Sequence, residues 1–143
     1  MAIPVLNQAF PEELVWRGHV YDTLSARLSP RAVVIIVSGV FGALHIVSQS
    51  GADTLIEKLL YVVMATALGF ACTVARMRSG AVWMAVGVHG GFHIGLRLTP
   101  TQATNYGVQL VLMAGALTLA AWVIDMVYRA RAGREPVAAP ERV

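Results

Sequence analysis

The sequence predicts an all-α, polytopic membrane bundle of about four transmembrane helices, preceded by an N-terminal helix that carries the first polar motif. Three observations predict it. Hydrophobic residues make up 57% of the 143-residue chain and charged residues 13%, against ~25% charged in an ordinary soluble domain; mean hydropathy is +0.64. Four apolar stretches of near-bilayer length, ~20 residues, alternate with helix stops. The arginines sort to one side when these stretches are walked in alternation.

The same numbers exclude other classes. The apolar content excludes intrinsic disorder. The single cysteine, Cys72, excludes an internal disulfide and a multi-cysteine zinc site. The net charge of +3 comes from arginines and one lysine, Lys58, with no basic run among aromatics, so nucleic acid is not an expected partner. No cation precedes Arg17, so the start lacks the basic region of a signal peptide.

The N-terminal helix is expected over residues 11–28. Pro11 suits its first position, and Glu12 and Glu13 fill its first turn, where the helix dipole favours carboxylates. Ser29-Pro30 then stops the chain, and the first span covers residues 31–48. Residues 49–53 (QSGAD) form a connector. The second span covers 55–76, with Glu57 and Lys58 in its opening turn. Ser79-Gly80 separates it from the third, 80–98, and Thr99-Pro100 separates that from the fourth, 105–128. Residues 1–128 are expected to form the core and 129–143, rich in Ala, Pro and Arg, a flexible cytoplasmic tail. Arg27, Arg31, Arg76, Arg78, Arg129, Arg131 and Arg134 fall on one side; Asp53, Glu57, Lys58 and Arg97 fall on the other. By the positive-inside rule the first side is cytoplasmic, in a multi-pass protein of the cell membrane.

Polar groups inside spans are costly and become functional candidates by default. Glu12, Glu13, Arg17, His19, His45, His89, His93 and Asp125 form this set. At 1.5 Å per residue, Glu13 lies roughly 21 Å from Arg27, His45 roughly 21 Å from Arg31, and His89 and His93 roughly 16 and 22 Å from Arg78. Two glutamates and three histidines on three helices therefore share nearly one depth. Glu13 and Arg17 are four apart and can pair, and His89 and His93 share a face by the same spacing. Gly87, Gly91 and Gly95 form a stripe almost opposite, expected to let a neighbouring helix approach closely. His19 and Phe41 are read as structural, Asp125 as reaching the interface, and Cys72 as a small buried hydrophobe. Trp16, Trp83 and Trp122 fit either interface anchors or core.

Three segments carry a family resemblance. Glu12-Glu13-Leu-Val-Trp-Arg17 has the form EExxxR, Phe41-Gly-Ala-Leu-His45 the form FxxxH, and His89-Gly-Gly-Phe-His93 stands where HxxxN is usual. In order and spacing, over about residues 8–125, the chain resembles the CAAX protease and bacteriocin-processing (CPBP, or Abi) family of intramembrane endopeptidases. That family includes type II CAAX prenyl endopeptidases and lysostaphin-resistance-type proteins. It departs from the pattern at His93, which replaces an asparagine, and in the first motif's position: family members usually carry further helices before it, so the expected core lacks those front helices.

The resemblance implies a peptide or protein substrate, a membrane-lipid environment, and catalytic roles for Glu12, Glu13, Arg17, His45 and His89, with His93 carried over by position. Glu12 is the expected general base toward a water, Glu13 is held by Arg17, and His45, His89 and His93 face the tetrahedral intermediate. His45, His89 and His93 are also candidate ligands for zinc, although the third motif is not the HExxH of metalloproteases. Two alternatives stay open: a non-catalytic relative serving as an immunity or scaffold protein, and a membrane protein handling metal or protons through the Glu/His cluster. Apolar surface left by absent front helices also makes a homo-oligomer a candidate state.

Overall fold

A computed structural model describes residues 5–98 and 105–133. The described residues form five helices and no strand. Helix α1 spans residues 5–25 and changes pitch along its length: π-helical over Val5–Ala9, α-helical over Phe10–Glu13, π-helical over Leu14–Val20, and α-helical over Tyr21–Ser25. Helix α2 is Pro30–Leu44, closed by a 3-10 turn at His45–Val47. Helices α3, α4 and α5 are Leu55–Ser79, Val82–Leu98 and Tyr106–Ala132.

The stops work as local chemistry requires. Ser29 Oγ accepts from the Ala32 amide at 3.4 Å to start α2. Thr54 and Glu57 form a reciprocal capping box at the start of α3. Gly80 ends α3 at φ 71°, a left-handed conformation that a side chain disfavours. Asn105 Oδ1 accepts from the Val108 amide at 3.1 Å to start α5. Arg129 to Ala132, expected in the tail, continue α5; residues 134–143 and the Thr99-Pro100 stop lie outside the described residues.

Three helical segments are long and apolar enough to cross a membrane: Pro30–Val47, Leu55–Ser79 and Tyr106–Ala132. The third expected span is the 17-residue helix α4, about 25 Å at 1.5 Å per residue and just short of a full crossing length. Helix α3 is the axis of the bundle. Its apolar span is 56% buried, against 17% for α5. Met64, Leu68 and Cys72 of α3 pack with Ala85 of α4 and Leu110 and Leu117 of α5. Ala71 and Val74 pack with Val34 of α2 and Ala121 of α5.

Two expectations are corrected. Helix α1 begins before Pro11 rather than at it. A proline removes one backbone donor from a helix interior; here the turn before it is the wide π turn of Val5–Ala9, and Phe10 stacked on Trp83 at 5.4 Å ties that part of α1 to α4. Glu12 and Glu13 therefore lie beyond the first turn, where the end-of-helix dipole has faded. Among the described residues nothing packs closely on the glycine stripe of α4: Gly87, Gly91 and Gly95 are exposed, and a Cβ on any of them would meet none of the described atoms within 4 Å. The close approaches occur at Gly42 and Gly69. A Cβ on Gly42 would stand 2.7 Å from the Thr66 Cα, and one on Gly69 would stand 3.0 Å from the Phe41 ring and 3.3 Å from the Arg17 guanidinium. Small residues serve where α2 and α1 press on α3.

Candidate active site

Arg17 organises the centre of the site. It and Glu13 are both fully buried, and Arg17 Nη1 donates to Glu13 Oε1 at 3.0 Å. Its Nη2 donates to the Gly69 carbonyl at 2.6 Å and its Nε to Thr73 Oγ1 at 3.3 Å. Thr73 donates in turn to the same Gly69 carbonyl at 2.7 Å. The guanidinium also lies 4.6 Å over the Phe41 ring. A buried cation is tolerable only when paired and hydrogen-bonded. Here α1 supplies the counter-charge, α3 the neutral acceptors and α2 the aromatic face.

From Glu13 the network runs into α4. His89 Nδ1 lies 2.8 Å from Glu13 Oε1, and His93 Nε2 lies 3.1 Å from His89 Nε2. The ionised carboxylate paired with Arg17 only accepts, so His89 Nδ1 carries a proton. In the neutral ring His89 Nε2 is then an acceptor, so His93 Nε2 donates and His93 Nδ1 keeps its lone pair. His45 follows the same logic. Its Nδ1 lies 2.8 Å from the Phe41 carbonyl and donates to it, which leaves Nε2 as an acceptor.

The polar groups occupy two levels. Phe41 and His89 meet edge to face at 6.1 Å, beside Glu13, Arg17 and Thr73, all buried. Helices α2 and α4 both lead away from the arginine-rich end. His45 and His93 each follow by four residues, a rise of ~6 Å, and both are half-buried. Glu12 is half-buried too; among the described residues nothing hydrogen-bonds or ion-pairs with it. On α3, the Tyr61 ring lies 5.9 Å from that of His45. The lower level is buried; the upper level is half-buried.

The sequence-predicted residues are thus gathered unevenly. Glu13, Arg17, His89 and His93 form one continuous chain of contacts. His45 is separated from His89 by the Phe41 ring, which sits 4.7 Å from His45. His45, His89 and His93 do not form a ligand cage. Among the described residues, the trio whose ligand atoms lie within 4.8 Å of one another is Glu13, Cys72 and His89. That trio stands beside a fixed cation, since Arg17 Nη1 lies 3.0 Å from Glu13 Oε1, and like-charge repulsion opposes a second cation there. Among the described residues Glu13 Oε2 is buried without a hydrogen-bond partner. His19 is exposed and Phe41 is core.

Sequence reasoning missed Gly69, Thr73, Tyr61 and Arg76. Arg76 donates from Nε to the Arg17 carbonyl at 3.0 Å and from Nη2 to Asp22 at 2.7 Å. The signal was present as a small-and-polar stripe at Gly69, Thr73 and Arg76 on one face of α3. It lacked only a partner to make it legible.

The family model described as "Type II CAAX prenyl endopeptidase Rce1-like" matches residues 1–95, 95 of the 143 residues, and takes in all three motifs. No curated protein and no solved structure shows significant similarity to the chain.

Proposed function

The chain belongs to the Rce1-like family of type II CAAX prenyl endopeptidases, and on that footing we propose that it is a metal-independent intramembrane endopeptidase whose general base is Glu12. One contrast carries the reading. Glu13 is fully buried with Arg17 and His89 on one oxygen, whereas its neighbour Glu12 is half-buried and, among the described residues, has no hydrogen bond or ion pair. A base must reach both water and substrate, and of the two adjacent carboxylates Glu12 has that access.

Glu12 takes a proton from water as the water oxygen attacks the peptide carbonyl, and later returns that proton to the leaving amine. His45 Nε2 accepts the second water hydrogen and aims the nucleophile. His93 meets the developing oxyanion. With one proton drawn from bulk water shared by the His89–His93 pair, His89 donates from Nε2 to His93 Nε2, and the N–H then carried at His93 Nδ1 donates a hydrogen bond to the oxyanion and keeps its proton throughout. Glu13 and Arg17 position that pair and touch no substrate. The protein crosses the membrane several times with its arginine-rich end cytoplasmic, and the substrate is a peptide or protein.

The test is cleavage of a CAAX-terminated peptide, prenylated and unprenylated, by the full chain in liposomes. Glu12→Gln lowers turnover by about 10²–10⁴-fold, the usual worth of a general base, with folding unchanged, and a chelator leaves the wild type active. A fully active Glu12→Gln protein would overturn the assignment. The non-catalytic alternative is favoured by one observation, the commitment of His45 to its own helix behind Phe41. It predicts no cleavage by the wild type.

A further inference from the structure

A second face of α3, about 100° round the helix from the candidate active site, carries a further feature. A groove of ≈ 860 Å³ runs between α2, α3 and α5, within the ~300–1,000 Å³ range of sites that enclose a small molecule. Val34, Ile35, Phe70, Val74, Ala121 and Trp122 give it apolar walls, and Arg31, Arg78, Arg129 and Asp125 stand at one end. Asp125 pairs with both Arg78 and Arg129. Arg31, in the first turn of α2, has no ion pair or hydrogen bond among the described residues. Three cations against one carboxylate leave that end with two positive charges.

We propose that this groove binds one phospholipid with an anionic headgroup, acyl chains along Val34, Val74 and Trp122 and phosphate against Arg31. Two halves of the argument meet. Apolar walls on membrane-spanning helices are solvated by acyl chains, which any bilayer lipid supplies. The charge selects among lipids: an unpaired guanidinium offers paired N–H donors that match phosphate oxygens, and basic pockets between membrane helices attract anionic headgroups. Trp122, 58% exposed at the rim, is the amphipathic side chain suited to the headgroup boundary. The site shares no residue with the Glu12–His93 machinery, so it stands or falls independently of proteolysis.

The experiment is native mass spectrometry of the full chain in detergent, titrated separately with phosphatidylglycerol, phosphatidylcholine and inorganic phosphate. One phosphatidylglycerol is retained in clear preference to phosphatidylcholine, and inorganic phosphate alone gives no adduct. Arg31→Ala reduces the preference about fivefold, the worth of one cation near an anionic lipid surface. Lys58→Ala, at the other end of the bundle, leaves it unchanged. Thr118→Trp, which fills the groove, removes retention of both lipids. Equal retention of the two lipids, an unchanged preference in Arg31→Ala, a phosphate adduct without lipid, or a dimer in place of lipid adducts overturns the proposal.

Discussion

Helix α3 presents two distinct faces, and they stabilise the bundle by different physics. Toward α1 and α4 it offers Gly69, Cys72, Thr73 and Arg76, which close around a fully buried Arg17–Glu13 pair. Toward α5 it offers Phe70, Val74 and Met77, which line an apolar groove, with Arg78 tied to Asp125 at its end. The first face depends on every polar partner being present, since a buried charge left alone is expensive. The second depends on area and shape, and its ion pairs sit partly in solvent at the bundle end, where such pairs are worth little. One face is therefore brittle and specific; the other is tolerant.

The comparison breaks most decisively at Arg17. Arg17→Ala leaves Glu13 a buried carboxylate with no cation, held only by the His89 contact at 2.8 Å, and is expected to cost about 3–5 kcal/mol, read as a large fall in thermal midpoint in detergent together with loss of cleavage. Next comes Gly42→Val, which drives a side chain into the Thr66 backbone. Overpacking there is expected to cost about 1–3 kcal/mol and to spread α2 from α3, lowering activity through the position of His45. Thr73→Val tests whether neutral acceptors matter. It leaves Arg17 Nε without its 3.3 Å partner and is expected to cost about 1–3 kcal/mol in the same assay. Smallest is Arg78→Ala, whose partner Asp125 keeps Arg129 at 2.7 Å. The expected change is about 0–1 kcal/mol. A fall as large as that of Arg17→Ala would erase the distinction between the two faces.

Much of the fold was legible because membrane spans obey a one-dimensional rule: twenty apolar residues between stops, with arginines marking an end. Ser29, Thr54, Gly80 and Asn105 cap or stop helices through contacts within a few residues, so local sequence suffices to read them. The start of α1 was misjudged because Pro11 carries a helix-start signal, while the stacking of Phe10 on Trp83 is a contact between segments far apart in the chain. The glycines of α4 were misread for a related reason. Their spacing gives a face, but only the neighbours decide whether that face meets a helix. The same limit applied to the site: Glu13–Arg17 and His89–His93 follow from i,i+4 spacing, whereas Phe41 standing between His45 and His89 does not.

The sequence by itself therefore determined the all-α class, the apolar stretches, several of their ends and the in-helix pairs, because these rest on periodicity, hydropathy and contacts one turn apart. Tertiary structure alone decided that Glu13 is sealed while Glu12 is open, that Gly69 and Thr73 serve Arg17, and that α3 divides a polar site from an apolar groove. Those outcomes depend on which faces of α1, α2, α4 and α5 turn toward one central helix. No residue's immediate neighbours in the chain encode that choice.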